Sequence, residues 1–409
     1  MDILTLEELD RWLATRPRLP ATISGVDLTA RSQEISAADL AGCTLLGCVL
    51  DGNISWQAQA QGASVITAAG GLPFDPARAT LYTVGDLYDR YDPADSLASW
   101  KASFDYRAYR WFMDPKEQLP LKLSTGQTLQ ARIHDTAIEA AVTRFIDRIG
   151  KPLVGFMGGH DTPRDAPVFA TIAELGRRMA RSGQLVLTGG GPGLMEAANL
   201  GAFLAPFPDD ALAAAVAELG AAPKYDHPDW LSVAWKLRER LLGGGAVTPG
   251  SVSLGIPTWL YGHEPPNVFA THQAKMFYNS LREDGLVTLA GAGLIIGPGN
   301  AGTVQEVFQD ATQNYYRKAG VAPTPIALLG EAFWSRPEKD GPDPVARTKP
   351  LKPLLMALAG EKPKTDWSSA VLITDDVDAI AELLLPKAEK AFVAEGLTRG
   401  ELWRAQISA

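Results

Sequence analysis

Cysteine is nearly absent from this 409-residue chain, with only Cys43 and Cys48. Two thiols cannot build a disulfide scaffold, and their spacing is not that of a CxxC motif. Histidine is almost as sparse, at positions 134, 160, 227, 263 and 272. None falls in an HExxH or similarly tight pattern, so no metal site is expected. No apolar run reaches the roughly 18–20 residues that span a bilayer. The best candidate, Leu286–Ile296, is short and carries two glycines. The N-terminal stretch MDILTLEELDRW is acidic and amphipathic, without the basic start and apolar core of a signal peptide. A cytoplasmic protein without membrane contact is therefore expected. Positive charge is also in deficit, with 38 Lys and Arg against 47 Asp and Glu, a net charge of −9. That argues against a general nucleic-acid binder, which needs a basic face to release counterions. It does not exclude a small phosphorylated ligand, for which a few local donors suffice.

What remains is an ordinary globular composition, 46 % apolar and 21 % charged. Its length suits two or three domains at roughly 100–200 residues each. Residues 1–115 read as a smaller N-terminal accessory domain of mixed α/β character. Thr5-x-x-Glu8 resembles a capping box that opens a short helix. Leu40, Leu45 and Leu50 recur every five residues, too few times for a pentapeptide solenoid, so they read as turns inside a small domain. The aromatic-rich stretch 82–112 holds Asp86, Asp89 and Asp92 among its rings. It reads as a packing or oligomer surface rather than a nucleic-acid stacking platform. Residues 116–130 read as a linker.

Residues 131–409 change character. Strand-like runs Leu153–Met157, Leu185–Leu187, Ser251–Ile256, Leu294–Ile296, Ile326–Leu329 and Val371–Ile373 alternate with helical stretches such as Val168–Ser182. The fold class is α/β, a Rossmann-like parallel sheet with helices on both faces. Residues 206–248 read as a helical insertion, 267–285 as a helix, 335–350 as a charged, proline-rich loop, and one or two helices follow from Val377.

Two glycine turns carry the candidate chemistry. In LVLTGGGPGLMEAANLGA (185–202), a strand runs into Gly189, Gly190, Gly191 and Gly193, then a helix begins. Glycine permits positive φ and close approach to a ligand, and the helix start offers free N–H groups. The turn departs from both the Walker loop and the GxGxxG fingerprint, and a simple tight turn is the competing reading. In LIIGPGNAGTVQEVFQ (294–309), Pro298, Gly299, Asn300, Ala301, Gly302 and Thr303 form the second turn, with Glu306 following. Here Thr303-x-x-Glu306 also fits a purely structural capping box. A carboxylate in the first turn of a helix should stay ionised. Two such turns in one sheet point to one crevice at the carboxyl ends of the strands. Arg282, near the end of 267–285, is by itself an ordinary surface or helix-terminal charge.

GGGPGLMEAANLGA followed by PGNAGTVQE resembles the LOG (Lonely Guy) family, the "lysine decarboxylase-like" proteins, which are similar to the larger nucleotide 5′-monophosphate nucleosidases. The resemblance covers about residues 130–385, with VGFMGGHDTPRD (154–165) at the first strand and its loop, including Gly158 and Gly159. It implies hydrolysis of the N-glycosidic bond of a nucleoside 5′-monophosphate to a free base and ribose 5-phosphate, with no cofactor or metal. It places the phosphate on Gly299–Thr303, the nucleotide along Gly189, Gly190, Gly191, Leu194 and Met195, and catalysis on Glu306 and its partner Arg282, with Lys275 as the alternative arginine-equivalent. It also implies a homodimer or higher homo-oligomer. Asn300 stands where the family has a second glycine, and its tolerance of left-handed φ would preserve the turn. The alternative function is a non-catalytic nucleotide- or cofactor-binding protein on the same fold. An NAD-dependent oxidoreductase is weakened by the missing fingerprint. Nothing marks a pyridoxal-phosphate lysine.

Overall fold

The computed structural model describes residues 1–15, 19–67, 70–260, 265–335 and 348–385. Two compact units form within the chain. One comprises Met1–Leu81 and Pro120–Val142; the other comprises Tyr82–Leu119 and the described residues from Thr143 onward.

In the first unit, β1 (Asp2–Ile3), β2 (Thr22–Ser24), β3 (Thr44–Leu46) and β4 (Ser64–Ile66) form a parallel sheet in that order. Between them lie α1 (Leu6–Ala14), α2 (Ser32–Ser36) and α3 (Gly52–Ala60). The Thr5–Glu8 capping box is present at α1. Thr22 faces Thr44, and Thr44 faces Ser64. The structural repeat is thus a strand–turn–helix of about 20 residues, not the five-residue leucine spacing. Leu40 and Leu45 enter the core with Ile23, Ile35 and Ile54, while Leu50 packs at its edge. Each coil supplies one inward residue or two, so neither a strand nor a helix period is long enough to read in sequence.

The second unit opens with α4 (Val84–Leu87), α5 (Ser96–Ala102), α6 (Phe104–Phe112) and a ribbon of β5 (Met113–Asp114) and β6 (Leu119–Pro120). Segment 82–115, grouped in the sequence reading with the N-terminal domain, here packs with the large sheet. Tyr82 and Gln273 exchange backbone hydrogen bonds of 2.8 Å. The Tyr88 hydroxyl donates to the Pro266 carbonyl at 2.6 Å. Trp259 Nε1 donates to Asp105 Oδ1 at 2.9 Å. Of the segment's rings, Tyr82, Tyr88, Tyr109 and Phe112 are buried, whereas Tyr91, Trp100, Phe104, Tyr106 and Trp111 are half-buried. The stretch expected as a linker holds β6 and the start of α7 (Thr125–Ile149).

The large sheet is seven-stranded and wholly parallel, flanked by helices, as expected of a Rossmann-like fold. Its strands are β7 (Leu153–Met157), β8 (Leu185–Thr188), β9 (Ser253–Gly255), β10 (His272–Gln273), β11 (Gly293–Ile296), β12 (Ile326–Leu329) and β13 (Val371–Thr374). The spatial order is β10-β9-β8-β7-β11-β12-β13. The chain builds outward from β7 in one direction, then returns and continues from β11 in the other. Strands β7, β8, β11 and β12 are fully buried, which matches their near-continuous apolar sequence. The helices are α8 (Pro167–Arg181), α9 (Leu194–Phe203), α10 (Asp210–Leu219), α11 (Trp230–Leu242), α12 (Asn279–Leu289), α13 (Ala301–Tyr316), α14 (Glu331–Ser335), α15 (Lys352–Gly360) and α16 (Val377–Leu384). Helices α10 and α11 form the insertion. The helix expected over 267–285 starts only at Asn279, because β10 and a bridge from Thr258 to Met276 keep the preceding chain extended. Most of the 335–350 loop, His263 and everything beyond Leu385 lie outside the described residues. No helix among the described residues is long and apolar enough to cross a membrane.

Candidate functional site

The order reverses between β7 and β11, and open α/β sheets bind ligands at the carboxyl ends of strands flanking such a reversal. Three turns meet there. Gly159 N donates to Pro298 O at 2.9 Å, joining the turns after β7 and β11 across the reversal. Leu194 N donates to Gly159 O at 3.1 Å, which brings in the turn after β8. Gly193 has φ +67°, and a Cβ there would overlap Gly159 O and lie 2.7 Å from the His160 carbonyl carbon. Leu194 is not a ligand-facing residue: it is 1 % exposed, and its side chain fills the space above Gly158 and Gly297.

The turn after β8 is held rigidly by residues that sequence reasoning missed. Asn267 N donates to Gly190 O at 2.9 Å, and Asn267 Nδ2 donates to Gly191 O at 3.0 Å. Asn267 Nδ2 also reaches Asn199 Oδ1, which accepts from the Thr188 hydroxyl. Gly190 and Gly191 thus spend their carbonyls on this network. A buried polar network that is fully bonded fixes backbone geometry. The available signal was Asn199, one of two polar residues, with Glu196, in a mostly apolar helix. Below it, Arg164 is 1 % exposed and pairs with Glu196 at 2.5 Å. It also donates to Ala222 O and Trp230 O and stacks over the Trp230 ring at 4.5 Å. It thereby ties the α10–α11 insertion to the turn after β7.

The turn after β11 leads into α13. Its N-cap is Asn300, not Thr303, and no side chain caps the helix. The capping-box reading of Thr303 and Glu306 therefore does not hold. Asn300 has φ −98°, so its tolerance of left-handed φ is not used. Its Nδ2 reaches Asp161 Oδ2 at 3.5 Å. Ala301 and Gly302 are exposed and Thr303 is buried. The first-turn N–H groups thus have no capping side chain, and a helix start of this kind favours an anion.

Arg282 and Glu306 come together, though not as a simple pair. Arg282 lies in the first turn of α12. Its Nε donates to Ile256 O at 2.7 Å, and its Nη1 donates to Asn279 Oδ1 at 3.2 Å and to Glu283 Oε1. Its Nη2 lies over Gly189, where a Cβ would overlap it; Met195 Sδ borders the same spot. Glu306 sits in the second turn of α13, not the first, and is 7 % exposed. Burial, reinforced by Glu283 and opposed by Arg282, raises its carboxyl to about 8. Burial thus works against the ionised form that its helix position favours, because desolvation opposes the dipole at this depth. Lys275 is elsewhere: it is 1 % exposed and pairs with Asp105 at 2.6 Å. No group of three or more His, Cys, Asp or Glu among the described residues is arranged to hold a metal.

Comparison with known proteins gives a partial match. Residues 151–205, spanning β7 to the end of α9, match the SLOG cluster4 family model. The match does not extend to Pro298–Glu306. No curated protein matches the chain. Among solved structures, the chain is similar to the molybdenum cofactor carrier protein of Chlamydomonas reinhardtii, with 19 % identity, 57 % of this chain and 98 % of that one covered, and a TM-score of 0.32. It is also similar to a molybdenum cofactor binding protein from Rippkaea orientalis, with 18 % identity, 57 % and 94 % covered, and a TM-score of 0.29.

Proposed function

We propose that the crevice over β7, β8 and β11 binds a phosphate-bearing small molecule of the nucleotide class, and that binding rather than hydrolysis is its function. The carrying observation is the convergence of three glycine turns on the uncapped start of α13, with buried Arg282 alongside. Backbone N–H groups there suit a phosphate, and the remaining Arg282 donor suits a second polar group of the ligand.

Hydrolysis of an N-glycosidic bond is the second reading, supported by the meeting of Arg282 and Glu306 in one cluster. Its oxocarbenium-like transition state calls for an ionised carboxylate. Burial favours the protonated form of Glu306, the residue that would be this carboxylate, and Arg282 is engaged by Ile256, Asn279 and Glu283. Binding does not require either group to be free.

The test is a panel of AMP, GMP, CMP, UMP and IMP, with the molybdenum cofactor of the two compared proteins added. Thermal stability reports binding, and chromatography reports released base. A binder gains about 2.7 kcal/mol of stability with ligand at 100 times Kd, and releases no base. Base release by the wild type, abolished in Glu306→Gln and Arg282→Ala, would replace the binding reading with the hydrolase.

A further inference from the structure

The side chain beside Arg282 is the least expected feature of the crevice. Glu283 is 6 % exposed. Its Oε1 accepts from Arg282 Nη1 and from Asn279 Nδ2, the latter at 3.2 Å. Its Oε2 is buried, and no N–H or hydroxyl of the described residues reaches it. The neighbouring group is the carboxyl of Glu306, itself only 7 % exposed. Two ionised carboxylates in contact, both shielded from water, repel strongly, and a buried acceptor without a donor is costly. A single proton resolves both problems if one carboxyl donates it to the other. Glu283 is the better anion of the two, since two N–H donors already serve its Oε1. Glu306 is then the acid.

We propose that Glu283 is the positioning residue of this site: it shares one proton with Glu306 and anchors Arg282 beside Gly189, so that the ligand meets a neutral acid and a compensated cation rather than two bare charges. The inference rests on the crevice reading above. It fits a ligand whose phosphate sits on the α13 start and whose uncharged hydroxyl groups face the carboxyl pair, because an acid–carboxylate pair can both donate to and accept from a hydroxyl. A cationic group is not called for there, since Arg282 already balances Glu283.

Other charges near α13 have separate partners. Asp310, one turn along, accepts from Asn314 through Oδ2 at 2.9 Å, while its buried Oδ1 has no partner among the described residues and burial raises its carboxyl. Asp284 takes the Gln309 amide. On α15, Lys352 lies 3.8 Å from Glu331, and Glu361 beyond the helix end takes the Tyr315 hydroxyl at 3.0 Å.

The sign of the pH effect follows. The unfolded Glu306 carboxyl loses its proton near 4.5 and the folded one near 8. The contribution to stability is complete below 4.5 and is lost as pH rises through about 8. The experiment measures the thermal midpoint from pH 4 to 9 for the wild type, Glu306→Gln and Glu283→Gln, without ligand. The expected result is a decline in the wild type across this window that is shallower in Glu306→Gln, where half-buried Glu139, raised to about 7, and buried Asp310 still contribute. In Glu283→Gln the decline should shift to lower pH by at least about one unit, a tenfold change in proton affinity, because the amide donates to an ionised Glu306. A wild-type profile in Glu283→Gln overturns the proposal. Should that variant not fold, infrared spectroscopy of the wild type at pH 7 decides. A protonated-carboxyl band missing from Glu306→Gln supports the shared proton, and its absence from the wild type overturns it. These readouts need no ligand, so they can fail while the nucleotide panel succeeds, or succeed while it fails.

Discussion

In the N-terminal sheet each new strand is added beside the last, β1-β2-β3-β4; in the large sheet the chain lays down β7 to β10 in one direction and then β11 to β13 on the opposite side. Both sheets are parallel, and both join strands through turns and helices. Only the second has a point where successive connections diverge, and only there do the ends of three strands surround a common space. The difference also appears in single glycines. Gly25 after β2 and Gly193 after β8 have nearly equal φ, +65° and +67°. A Cβ on Gly25 would meet only Ala77 O at 3.8 Å, whereas one on Gly193 would collide with Gly159 and His160. The first glycine serves a backbone angle. The second serves that angle and the meeting of two turns.

Substitutions can break this contrast, and the largest effect belongs to the clamp under the crevice. Arg164→Ala leaves Glu196 buried without its partner and should cost about 3–5 kcal/mol, read by chemical denaturation of the large unit. Gly193→Ala should cost about 2–4 kcal/mol, since steric overlap adds to the left-handed penalty. Gly25→Ala should cost about 1–2 kcal/mol, the conformational penalty alone. Equal losses at the two glycines would remove the distinction between them. The smallest effect sharpens the N-terminal side: Thr5→Ala removes the α1 capping box for about 1 kcal/mol and should leave any nucleotide-induced thermal shift unchanged.

The same contrast explains what was legible in the sequence. The strands of the large sheet are buried on both faces, so Leu153–Met157 and Ile326–Leu329 stand out as short apolar runs and are found at those bounds. The N-terminal strands are only two or three residues long, below the length at which alternation can be counted. The glycine turns were readable because their composition is extreme. Their supports were not: Asn267 acts on Gly191 from 76 residues away in sequence, and on the adjacent Gly190, and no local pattern encodes that. Glu306 was found by motif, but the effect of its burial was not. Its position along α13 was visible, whereas its burial and its contact with Glu283 depend on how α12 packs. The aromatic stretch 82–112 reads in sequence as a packing or oligomer surface, and its partners Trp259, Trp235 and Phe277 are known only from the fold.

The central claim is that the start of α13, at the reversal between β7 and β11, seats a phosphate. Ala301 is exposed at the first helical position there, so Ala301→Glu tests the claim with little risk to the fold. A carboxylate at that position favours the helix by about 0.3–1 kcal/mol while placing negative charge where the phosphate would sit. The measurement is calorimetric titration of AMP into the wild type and Ala301→Glu. The account predicts binding to the wild type, and loss of at least about 1.4 kcal/mol, a tenfold weakening, in a variant that is no less stable. Undiminished AMP binding by Ala301→Glu, or no binding by the wild type, would contradict it.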